Sequence, residues 1–121
     1  KISKYNLAYQ NLIVHPSIIC KANILKKFRY DIAYIKSQDY KLWLDMIIHG
    51  VNFYYCDIPV IFYQNKGSNK AKIISQLLYS IKARFSHIKI NRPFLSFMLF
   101  IGSARDTISV ARIYLSDNNG I

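Results

Sequence analysis

The sequence predicts an α/β fold of mixed strands that ends in a pair of amphipathic helices. Three observations carry that prediction. Runs of β-branched and aromatic residues at 12–20, 52–58 and 60–64 have the composition of strands. Between them, Leu42, Met46 and Ile47 recur at three- and four-residue steps, as on one face of a helix. Beyond residue 70 the pattern becomes helical again and stays so almost to the end.

In chain order, residues 11–21 read as a strand interrupted at His15-Pro16, because proline cannot donate to a ladder and favours an edge or a bulge. A short helix over 21–27 follows, then a loop over 28–36 with no clean period. The next helix opens at Gln38-Asp39, where a carboxylate meets the helix dipole and the orphan backbone N–H groups. It should stop at His49-Gly50, the histidine suiting the negative end and the glycine a left-handed cap. Two strands hinged at Pro59 come next, then a polar turn over 65–69. Ile73, Leu77, Leu78, Ile81 and Phe85 mark an amphipathic helix studded with Lys72, Lys82 and Arg84. Asn91-Arg92-Pro93 breaks it, and 94–113 reads as a second helix. The apolar first half of that helix is too short to span a bilayer, which takes about 20 residues, but it can lie on one.

With 121 residues, 52% of them hydrophobic, the chain has material for one modest core. It begins at Lys1 and shows no secretory signal, which fits a start partway through a longer protein. Cys20 and Cys56 have no paired spacing and no neighbouring His, so neither zinc nor a disulfide framework is indicated; buried, reduced thiols in a cytosolic compartment are the expectation. Seventeen Lys and Arg against six acidic residues give a net charge of +11. That excess calls for an anionic partner: a membrane surface, a phosphate-bearing substrate or a nucleic acid. Nucleic acid is the weakest of the three, because no recognition motif accompanies the charge and most aromatics fall in apolar runs. With so few acids, each is worth asking about individually, and Asp39 alone stands at the mouth of a clear helix.

The ordered set His15-Pro16-Ser17, a basic Lys21 before a helix, Gln38-Asp39-Tyr40-Lys41-Leu42-Trp43-Leu44, Gly50, Tyr63 and Gly67-Ser68 resembles the acceptor-binding half of bacterial family 2 glycosyltransferases of the GT-A fold. The likeness covers residues 13–68. It implies a partial GT-A fold, with 1–70 as the acceptor-side part and 71–121 as a basic helical tail that is a candidate for membrane association. By resemblance Asp39 is the general base on the acceptor hydroxyl, and Gln38, Trp43, His15 and Lys21 belong to the substrate site. A core Trp43, a hydrogen-bonded His15 and a solvated Lys21 are the alternative readings of the same residues. The family Glu is replaced by Gln38, its Arg by Asp45, and its Tyr-Arg pair by Tyr63-Gln64, with Lys66 where a His often stands.

The nucleotide-binding half of the family, with the Asp-x-Asp that holds Mg or Mn on the diphosphate, has no counterpart in these residues. No cofactor is therefore expected in this chain, which by itself should be inactive. The full-length family would work with a nucleotide sugar and a saccharide or lipid-linked acceptor, in surface polysaccharide assembly, peripheral on the inner face of the bacterial membrane. The rival expectation is a non-catalytic basic module that binds a membrane surface or a protein partner, with Asp39 serving only as a helix N-terminal charge.

Overall fold

The computed structural model describes residues 1–59, 61–62, 69–88 and 91–118, with side chains described through 116. Its helices are α1 (Lys4–Tyr9), α2 (Ala22–Lys27), α3 (Gln38–Ile48), α4 (Lys70–Phe85) and α5 (Pro93–Asn118), with a 3-10 turn at His15–Ser17. Among the described residues there is no strand. The expectation of an α/β, partial GT-A fold with mixed strands is thereby overturned. Residues 51–57 carry no helix, but a strand exists only through a ladder to a neighbour. Here the Ile2 N–H donates to the Phe53 carbonyl at 2.7 Å, and that lone bond does not make a ladder. At 15–17 proline wins over β-branching: the Ser17 N–H and Oγ both donate to the Val14 carbonyl, at 2.9 and 2.7 Å, and close a turn. The expected Tyr63-Gln64, Lys66 and Gly67-Ser68 features lie outside the described residues.

The expected helices are present. Helix α3 has 11 residues, too few to hold a helix in water alone, so burial must stabilise it. Tyr40, Leu42, Trp43, Leu44 and Met46 are all at most 2% exposed. Each such side chain contributes roughly 1.5–3 kcal/mol relative to an exposed one. The helix ends as its sequence requires: Gly50 takes φ +86°, and the N–H groups of Gly50 and Val51 turn back to the carbonyls of Ile47 and Met46. Helix α4 opens on Asn69, whose side chain accepts from the Lys72 N–H.

The core runs through α1, α3, α4 and α5, so the tail helices share it with the rest of the chain. Arg84 holds it together. From α4 this side chain, 1% exposed, reaches Asp106 Oδ2 on α5 at 2.6 Å and Tyr40 Oη on α3 at 2.9 Å. It also donates to the Ala8 and Tyr9 carbonyls of α1, each at 3.1 Å. A six-residue helix leaves its last carbonyls without intrahelical donors, and Arg84 with the Tyr40 hydroxyl supplies them. Burial and loss of water push the Tyr40 phenol up to about 12, so it stays protonated as a donor to α1. Gly102 lets α5 come this close: a Cβ there would stand 2.3 Å from the Tyr9 carbonyl oxygen and 2.9 Å from Arg84 Nε.

A second tie joins α3 to the end of α4. Asp45 accepts from Lys41 Nζ at 2.7 and 2.8 Å and from His87 Nε2 at 2.6 Å. Burial alone would raise the Asp45 carboxyl, but the hydrogen bonds from His87 and Lys41 outweigh it and hold the group below 3.8.

Gly102→Ala, by overpacking, should cost about 1–3 kcal/mol, and Arg84→Met, by orphaning buried acceptors, about 3–5 kcal/mol. Both are read from the urea midpoint at constant slope; losses below about 0.5 kcal/mol would remove Arg84 as the organising contact. A carboxyl whose folded pKa is depressed stabilises the fold above its unfolded pKa. The Asp45 contribution should therefore be present above pH 3.8 and be lost as the pH falls from there toward the folded value. Asp45→Asn should flatten that acid limb in a stability-versus-pH series, and an unchanged limb refutes the assignment.

Candidate functional site

The sharpest cluster of polar groups outside the core lies at the first turn of α3. Ser37, just before it, is a non-glycine residue with positive φ, at 52°. Its Oγ donates to the Gln76 carbonyl at 2.9 Å and accepts from Ser80 Oγ at 3.1 Å, so α4 holds the left-handed entry in place. The chain then turns into the helix with Gln38 exposed and Asp39 half-buried. Asp39 Oδ1 accepts the Tyr40 N–H at 2.8 Å, and among the described residues no Lys or Arg pairs with this carboxylate.

Three other residues gather beside it. Tyr30 Oη is hydrogen-bonded to His15 Nε2, and the His15 ring stacks toward Trp43 with centroids 6.3 Å apart. Partial burial, and after it the negative charge of Asp39, raise the Tyr30 phenol above its usual range. Tyr30 is thus bonded to His15, which stacks toward Trp43, one helical turn beyond Asp39. Lys21 lies apart: it caps the start of α2, exposed, with no described bond to this group. Tyr30 itself was missed, because it sits in the aperiodic 28–36 loop; a tyrosine in a polar loop beside a carboxylate-bearing helix was the available signal.

Trp43 packs edge-on against Phe53 at 5.7 Å, and its indole Nε1 is buried with no acceptor among the described residues. A buried indole N–H ordinarily finds a partner. The ring also borders a groove of about 570 Å³ between segments 12–20 and 51–59. The groove is largely apolar, with Ile18, Tyr54 and Tyr55 in its walls and Cys20 and Cys56 beside them. Both cysteines are free thiols, but neither is buried as expected: Cys20 is half-buried and Cys56 exposed. A wider cleft of about 940 Å³ lies at the other end of α3, lined by residues 47–53 and 92–95 and by the chain start. That end is about 15 Å from Asp39 at 1.5 Å per residue.

Among the described residues no three His, Cys, Asp or Glu side chains gather as a metal site. The chemistry on offer is therefore that of an unneutralised carboxylate at a helix mouth, flanked by a phenol and an imidazole and backed by an apolar groove.

No protein-family model matches the chain, and no solved structure does. The chain is similar to a protein of Methanocaldococcus jannaschii named uncharacterized glycosyltransferase MJ1057, with 33% identity over 102 residues. The match covers 83% of this chain and 35% of that protein, so the chain spans about a third of its relative's length. Over most of its length, then, the chain is glycosyltransferase-like.

The proximity of Asp39 to Tyr30 can be read directly. Removing the negative charge in Asp39→Asn should lower the Tyr30 pKa, followed by NMR of the tyrosine Cζ carbons against pH. An unmoved Tyr30 titration would separate the two groups.

Proposed function

We propose that this chain is the acceptor-side part of a family 2 type glycosyltransferase, which moves a sugar from a nucleotide donor to a saccharide or lipid-linked saccharide in surface polysaccharide assembly. The observation that carries the reading is Asp39: a half-buried carboxylate at a helix mouth, unpaired with Lys or Arg among the described residues. A general base must be ionised and within hydrogen-bond reach of the hydroxyl that it deprotonates, and a carboxylate tied up by a cation is a weaker base. The similarity to a protein named a glycosyltransferase supports the same reading.

On this reading Asp39 takes the proton of the acceptor hydroxyl as that oxygen attacks the donor sugar. Gln38, exposed one residue earlier, hydrogen-bonds the acceptor. His15, held by Tyr30, forms one wall, and the buried Trp43 ring supports it from beneath. Lys21 contributes only its charge, from a distance. The Mg or Mn of the full-length family finds no ligand set among the described residues, so no step runs through a metal here. Neutralising the leaving diphosphate is left to groups outside this chain, which alone should be inactive.

Asp39→Asn, made in the longer enzyme, should lower transfer by about a hundredfold or more, with acceptor binding largely kept. Activity retained within a few fold would end the base role. A panel of nucleotide sugars, run on this chain and on an upstream-extended form, tests the larger assignment. Turnover in the extended form alone supports it, and silence in both favours a non-catalytic binding module.

A further inference from the structure

Helix α5 is apolar on two opposite faces. Its inner face carries Leu95, Leu99, Gly102 and Asp106 into the core. On the other side Phe94, Phe97, Ile108 and Leu115 stand 54–61% exposed, with Ile101, Ala104 and Ala111 completing steps of three and four residues between them. That row extends over 22 residues, about 32 Å between its ends at a rise of 1.5 Å per residue. Phe100 and Tyr114, also more than half exposed, widen it, and on the packed helix α4 Leu78 and Phe85 are likewise more than half exposed. By length and composition Pro93–Ser116 could cross a membrane. Its inner face, however, packs along α1 and α4 and holds the Arg84–Asp106–Arg105 ion pairs, so the helix lies along the protein.

A helix apolar all round needs a second apolar environment. Three occupants suit such a surface: the remainder of a longer protein, a second copy of the chain, or lipid. Charge argues for the last. Asp106 is the acid of α4 and α5 whose side chain is described, and it is buried between two arginines. The outer surface therefore offers Arg112, exposed on α5, with no described acid to meet it. Two copies face to face would bring like charges together, whereas an anionic headgroup layer complements Arg112 and the +11 of the whole chain.

We infer that the outer surface of α4 and α5 docks flat on an anionic bilayer, with Phe94, Phe97, Phe100 and Ile108 entering the headgroup–acyl boundary. This keeps the expected placement of the apolar start of the last helix on a bilayer, but not Lys82 and Arg84 as the cations beside it. Arg84 lies inside the protein, and Lys82 Nζ sits over the Tyr34 ring at 4.9 Å. Apolar insertion drives the docking, and charge selects the lipid. The inference stands independently of the sugar-transfer reading.

The test uses the whole chain, sedimented with phosphatidylcholine vesicles with and without phosphatidylglycerol. Binding should be strong with the anionic lipid. It should fall at least tenfold in Phe97→Ser/Phe100→Ser/Ile108→Ser, fall a few fold in Arg112→Glu, and be unchanged in Ile32→Ser, a control residue 98% exposed elsewhere. Circular dichroism checks that each variant is folded, and single Phe97→Ser and Ile108→Ser proteins replace the triple variant if it is not. Phe97→Trp gives an independent readout, since the emission of the added indole should shift to the blue when vesicles are added. The inference is overturned by absence of wild-type binding, by binding indifferent to the serine changes, or by an emission of the Phe97→Trp protein that vesicles leave unshifted. A concentration-dependent dimer that the serine changes abolish, with no vesicle binding, would overturn it in favour of a protein partner.

Discussion

Arg84 is the contact on which the rest of this structure depends. A guanidinium carries five donors in a fixed plane, and here they are shared among α1, α3 and α5. A buried cation is costly unless it is paired and its donors are filled. Asp106 provides the charge, and the carbonyls at the end of α1 with the Tyr40 hydroxyl provide the rest. Each partner needs Arg84 in return: α1 is too short to hold its own C-terminus, and Asp106 would otherwise be a buried anion with Arg105 alone. The glycine at 102 belongs to the same constraint, because any side chain there would separate α5 from α1.

The same frame positions the candidate site. Because the Tyr40 hydroxyl is fixed under α1 and Ser37 is tied to α4, the first turn of α3 is held from both sides. Asp39 sits between those two fixed residues, on a helix end rather than on a free loop, with its carboxylate at the surface. His15 and Tyr30 arrive on irregular segments and meet each other over Trp43. A rigid carboxylate beside partners carried on loops is the arrangement expected where one group acts on a substrate and the others select it.

Much of the helical content was legible. The three- and four-residue spacing in α3, the Gly50 cap and the break at Arg92-Pro93 are local signals, and local signals depend on residues within a turn or two. Strands were not legible in this sense. The β-branched runs at 12–20 and 52–58 report a preference for extended backbone, but a strand is a relation between two segments, and propensity says nothing of a missing neighbour. In the candidate site Asp39 was legible from its place at a helix mouth, with Trp43 one turn on, while the approach of His15 and Tyr30 was not, since positions 15 and 30 reach that helix by folding alone.

By itself the sequence determined the helices α2 to α5, where α3 starts and stops, and that the protein is strongly basic, because spacing, capping and charge are properties of neighbouring residues; α1 it did not mark. Only the tertiary structure decided which charges face water. Lys82 and Arg84 read alike as surface cations of an amphipathic helix, yet one lies over tyrosine rings and the other is the centre of the core. The difference arises because acceptors from α1, α3 and α5 converge on one of them, and convergence of distant segments is what a linear pattern does not carry.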